Sequence, residues 1–235
     1  MVAEDFEEFE AWVEYCFTSG YTDFNGYSGH YDGDLVAALA RHDAFVLVPA
    51  ATTASHMIRL FEDPRFIVDT YNDQQIGDAT WFIFGMAGQC FVRAMSEEVE
   101  AFEQVRLLRA IETMYVECFD RVCCMRGTMN DEPCYDFFHV DGAVYMIGDM
   151  GGFPSWMRGR GSLSHFVDPI LEVLTNILKR CRTSTCHISA LHGLGHNVRG
   201  HPERIGAIID RYLTRGDLLD WVRSYAMDAR RGAVQ

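Results

Sequence analysis

Apolar residues recur at helical spacing over residues 184–235 and are broken at two short intervals, so this stretch has room for three consecutive helices and little else. Residues three and four apart share one face of a helix. Ile188, Leu191, Leu194 and Val198 form one such face, Ile205, Ile208, Ile209, Tyr212 and Leu213 a second, and Leu218, Leu219, Val222, Tyr225 and Ala226 a third. The reading is helix, turn, helix, turn, helix.

Upstream, most of the chain keeps the same period. Residues 4–17 read as an amphipathic helix with Phe6, Phe9 and Val13 inward, and residues 34–41 and 52–61 as short helices, the second stopped before Pro64. Residues 72–95 follow a cap at Asn72 or Asp73. Ser96 is expected to cap a long helix reaching Val122, with Glu97, Glu98 and Glu100 at its positive end, and residues 164–180 close on Lys179 and Arg180. Residues 44–48 are the best strand candidate, but one strand makes no sheet. The expected class is all-α, in a single domain spanning 1–235, for which 235 residues at 49% hydrophobic supply ample core.

Two long segments, 20–33 and 126–162, read as loops. The first alternates glycine with Tyr21, Phe24, Tyr27 and Tyr31; the second holds Trp156 in a glycine-rich run. Aromatic side chains are enriched at binding hot spots, which makes these rings candidates for a partner-facing surface. Asp23, Asn25, Asp32 and Asp34 miss the spacing of a calcium loop and read as a solvated turn.

Gly85, Gly88, Gly193, Gly195 and Gly206 fall inside helical patterns, at a cost of about 1 kcal/mol each relative to alanine. Close contact between helices is the expected compensation. SALHGLGH at residues 189–196, followed by IIDRYL at 208–213 and LLDWVRSYAMDARRG at 218–232, resembles HEAT-type repeats, in which an ALxxLG helix packs on an antiparallel partner and the pair stacks on the next. The same part, residues 184–232, is similar to the C-terminus of uncharacterised bacterial proteins that share an ALHGLGH helix, and residues 59–83 resemble that group too. The resemblance implies HEAT-like stacked antiparallel helical pairs, an irregular α-solenoid that binds macromolecules and that includes bacterial immunity factors against a neighbour's toxin.

Charge divides the chain. Residues 1–150 carry 27 Asp and Glu against 8 Lys and Arg, a net of −19, whereas residues 151–235 carry 7 against 12, a net of +5. Such an acidic field repels nucleic acid and anionic membrane and speeds association with a basic protein, so Glu97, Glu98 and Glu100 join the partner-binding candidates. Nucleic-acid binding through Arg199, Arg204, Arg211 and Arg215 is disfavoured by the −19 elsewhere. The acidic opening residues lack the pattern of a signal peptide, and uncharged runs such as residues 79–92, 14 long, are too short to span a bilayer, so a cytoplasmic location is expected, with no membrane partner and the eight cysteines reduced.

Cys181, Cys186, His187, His192, His196 and His201 lie within 21 residues. His192 and His196 are four apart and share a helix face, as two ligands of a metal site would. The position that supplies the general base in HExxH is Gly193, however, so metalloprotease chemistry fails there. Structural histidines bonded to neighbouring helices are expected, with no cofactor and no stoichiometric metal. GxSxG and GxxxxGK[ST] are absent from the sequence. The function read from the sequence is therefore a non-enzymatic protein-binding scaffold, with an immunity protein against a basic toxin as the concrete version and a metal-dependent hydrolase at His192 and His196 as the alternative.

Overall fold

A computed structural model describes residues 5–25, 34–85, 87–123, 140–151 and 164–234, and among them every regular element is a helix. In chain order these are α1 (Phe9–Thr18), α2 (Gly20–Asn25), α3 (Leu35–Val46), α4 (Ala50–Glu62), α5 (Arg65–Thr70), α6 (Asp73–Phe84), α7 (Cys90–Ala94) and α8 (Ala101–Met114). α8 runs on through a π-helical turn (Tyr115–Phe119) into a last α-helical turn (Asp120–Val122). Then come α9 (Val140–Gly151), α10 (Ser164–Arg180), α11 (Ser184–Asn197), α12 (Pro202–Leu213) and α13 (Asp220–Arg231). No single helix among the described residues is long and apolar enough to cross a membrane.

Two helices join the halves. α9 packs on α6 at one side and α11 at the other, and α10 likewise bridges α8 and α11. One buried apolar core consequently runs from Phe6 to Ala229. α11 sits at the centre of the C-terminal part with α9, α10, α12 and α13 around it, and all its residues except His196 are buried. Glycine permits the tightest of these contacts. A Cβ on Gly148 of α9 would lie 2.4 Å from the Ser189 carbonyl oxygen, and one on Gly193 would lie 3.2 Å from the Gly148 carbonyl oxygen, so the two helices cross backbone to backbone. Gly195 is similarly pressed against Val234 and Ala229. Gly206 is not: the nearest atom to its Cβ position is the Arg230 guanidinium at 3.8 Å, and close packing does not account for it.

Several local expectations need correction. Residues 44–48 are not a strand, because α3 continues to Val46 and buries Phe45 among aromatic rings before a turn seats Val48 in the core. Residues 72–95 are two helices. Gly85 ends α6, Gln89 takes a left-handed conformation at φ 52°, and α7 starts afresh. Ser96 is no cap; α8 begins after Glu100, and the Ser96 carbonyl instead accepts the Gln104 side chain at 2.7 Å. The opening of the 20–33 loop is helix α2 and the middle of the 126–162 loop is helix α9; Asp23 in α2 is not solvated but 1% exposed, gripped in a two-pronged ion pair by Arg41 at 2.9 and 3.0 Å. The cap at Asn72 is present as a reciprocal box with Gln75.

Candidate functional site

Among the described residues, α11 carries a run of buried polar groups, and its neighbours answer them group by group. Thr185 donates to the buried Asp141 of α9. Ser189 gives its proton to the Val144 carbonyl at 2.6 Å, so the Tyr115 hydroxyl, also 2.6 Å away, donates to Ser189. His187 Nε2–H donates to the Cys181 carbonyl at 2.9 Å, leaving Nδ1 to accept from Tyr212 at 3.0 Å. Burial pulls the His187 pKa down and pushes the Tyr115 phenol well up, so both stay neutral.

The HxxxH pair lies one turn further along. His192 is 0% exposed; Tyr225 of α13 and Tyr145 of α9 approach its Nδ1 at 2.6 and 3.1 Å, and His196 Nε2 lies 2.9 Å from its Nε2. The direction of donation follows the His192 tautomer, and in either tautomer the contacts run from Tyr225 of α13 through His192 to His196 at the rim of α11. His192 is bonded to neighbouring helices as expected, whereas the His196 ring meets His192 on its own helix. Tyr115, Tyr145 and Asp141, which complete the network, carry no local sequence signal.

A second cluster forms at the other end of α11. The Asp120 carboxylate and the Cys181 and Cys186 thiols lie within 4.8 Å of one another, the one such group of metal-ligand type among the described residues. The buried Cys123 thiol lies near Cys186, outside that group. Burial raises the Cys123 thiol to about 11 and lifts Cys186 too, so without a cation these are neutral thiols. All six cysteines described, including Cys16, Cys90 and Cys118, are free and buried.

The surface candidates divide. Glu97, Glu98 and Glu100 are exposed together on the turn between α7 and α8. Next to them Phe102 is 69% exposed, which the sequence reading missed, at an open groove of about 650 Å³ between α4, α8 and the start of α10. Tyr21 is half-buried against the core. The Phe24 side chain, Tyr27, Tyr31 and Trp156 lie outside the described residues. Of the arginines weighed for nucleic acid, Arg204 pairs with Asp168 at 2.7 Å and Arg215 with Asp217 at 2.7 Å.

Comparison with protein-family models, with curated proteins and with solved structures found no match to this chain.

Proposed function

We propose that the protein is a protein-binding helical scaffold, HEAT-like in residues 184–232, that takes a basic protein on the acidic turn between α7 and α8. A bacterial immunity protein neutralising a basic toxin is the concrete case. The observation that carries this reading is Phe102, 69% exposed on the wall of a groove and close in sequence to the exposed Glu97, Glu98 and Glu100. An apolar anchor with acidic groups near it in the chain combines a residue able to fill a partner's pocket with a field that steers the partner toward it. The groove's own cations are engaged, Arg106 with Glu62 at 2.6 Å and Arg109 with Glu172 at 3.4 Å, which leaves the three glutamates to set the local sign.

Association kinetics with the product of the adjacent reading frame test the proposal. Binding should be fast at 0.01 M salt and slow as the Debye length shortens from about 30 Å to about 8 Å at 0.15 M. Exchanging Glu97, Glu98 and Glu100 for glutamine should lower the on-rate, and Phe102→Ala should raise the off-rate. Association indifferent to salt and to these changes, or tight binding to duplex DNA instead, overturns it. The hydrolase reading keeps one supporting observation, the 2.9 Å approach of two imidazoles backed by Tyr225 and Tyr145. Against it stands the complete burial of His192, which leaves only His196 within reach of a substrate.

A further inference from the structure

We infer that Asp120, Cys123, Cys181 and Cys186 form a structural site for one divalent, thiophilic cation of the zinc type. The site is separate from the acidic surface and does not depend on the function proposed for it. Its four residues come from two chain segments with short internal spacing, Asp-x2-Cys at the end of α8 and Cys-x4-Cys across the α10–α11 junction, in the manner of the paired ligands of structural zinc sites.

The geometry is close to what a tetrahedral ion demands. Zn–S bonds of about 2.3 Å place two sulfurs about 3.8 Å apart, and the Asp120, Cys181 and Cys186 ligand atoms already lie within 4.8 Å. Cys123, whose buried thiol lies near Cys186 but outside that group, is the fourth ligand, with a shift of its side chain. The carboxylate is held in place. Asp120 Oδ1 accepts the backbone amides of Arg182 and Thr183, each at 2.7 Å, which orients the side chain and leaves the other oxygen for the ion. His187, bonded to the Cys181 carbonyl, fixes the backbone on the opposite side.

A second observation points the same way. The Thr183 hydroxyl is buried, and it faces the Cys186 sulfur without forming a well-aligned hydrogen bond. A thiol is a weak acceptor and holds it loosely; a metal-bound thiolate is a strong one and satisfies it. Binding displaces the thiol protons to solvent as the thiolates form. An entry path exists too, because Asp120 and Thr183 border an open cleft of about 730 Å³. Two of its arginines are neutralised there, Arg121 by Glu117 at 2.8 Å and Arg180 by Glu112.

Titration of the reduced, full-length protein with Co2+ after chelator treatment decides the matter. One equivalent should give the visible bands of tetrahedral cobalt and a thiolate-to-cobalt charge-transfer band, both bleached by one equivalent of Zn2+. Cys181→Ser with Cys186→Ser should abolish the charge-transfer band. Asp120→Asn keeps an oxygen for the Arg182 and Thr183 amides, so it should fold, as circular dichroism can verify, and lose at least tenfold in cobalt affinity. His192→Ala with His196→Ala should leave the bands unchanged. Absence of a thiolate band in the folded wild type, unaltered affinity in folded Asp120→Asn, or bands lost with the histidines instead of the cysteines overturns the assignment.

Discussion

Around Trp12 the N-terminal helices meet through rings: Trp12 stacks on Phe45 at 5.9 Å, Tyr15 and Phe82 tilt against the same ring at 4.9 and 5.2 Å, and Phe61 stacks on Phe84 at 5.5 Å. Around α11 the helices meet through hydrogen bonds, with Thr185, His187, Ser189 and His192 each bonded to a group on a neighbouring helix. The ring core even leaves Trp12 Nε1 and Thr53 Oγ1 buried without a partner. Apolar surfaces tolerate sliding at small cost, whereas a polar pair a few tenths of an ångström out of place is a buried group unsatisfied. The first half is thus held by volume and the second by register.

The largest effects test volume. Phe82 is 0% exposed, and its ring fills the space against which Gly20 and Gly88 close, so Phe82→Ala should cost about 3–5 kcal/mol in denaturant unfolding. A loss below about 1 kcal/mol would mean that the rings do not hold this half together. Gly148→Ala probes register in the other half, because the added methyl points at the Ser189 carbonyl and at His192 Cβ, 3.1 Å away. Backbone on one side and a packed side chain on the other leave no soft neighbour to yield. The expected cost is about 1–3 kcal/mol, and a neutral result would show that α9 and α11 can separate freely.

What was legible in the sequence follows the same division. Residues 164–180 and the cap at Asn72 rest on local pattern, and the structure agrees with both. Residues 44–48 misled because Val46 and Val48 favour strands locally, while burial of Phe45 among rings from α1, α6 and Phe6 just before α1 decides for helix. Ser96 misled because a serine before acidic residues is a sound cap signal with no information on where the helix beyond it begins. At the candidate sites, His192 and His196 are visible as a spacing, but Tyr225, Tyr145 and Tyr115 stand 33, 47 and 74 residues from the α11 groups they meet. Cys123 is in the same position with respect to Cys186. Only the crossing of α9 with α11, and the return of the chain past the end of α8, brings them together.

A smaller effect sharpens the account of register. Tyr115→Phe removes one hydroxyl from a fully buried ring and leaves Ser189 its bond to the Val144 carbonyl, so about 1 kcal/mol should be lost. Calorimetric unfolding of Tyr115→Phe, Ser189→Ala and the double variant measures the coupling between them. A double-variant loss equal to the sum of the singles would show that the two groups act independently, and the network would then be no more than a set of separate bonds.

The smallest effect is a pH dependence in the ring core. His56 contacts Trp12 and Phe9, with ring centroids 5.7 Å apart in each case, and burial holds its pKa below the ordinary 6.5 despite opposing contributions from the backbone of Glu7 and Phe6 and from Glu10. His42 is lowered for the same reason, against the pull of Asp43 and Asp23. The unfolded chain protonates these imidazoles as pH falls through 6.5 while the folded protein still excludes the proton, so their contribution to stability is complete above 6.5 and is lost progressively below it. Tm should therefore fall between pH 7.5 and pH 5.5, before the carboxylates titrate, and His56→Gln should flatten part of that slope by removing one titrating group. A Tm that stays level to pH 5.5 in the wild type would show that the ring core admits the proton without penalty, and burial at Trp12 would then be looser than its packing implies.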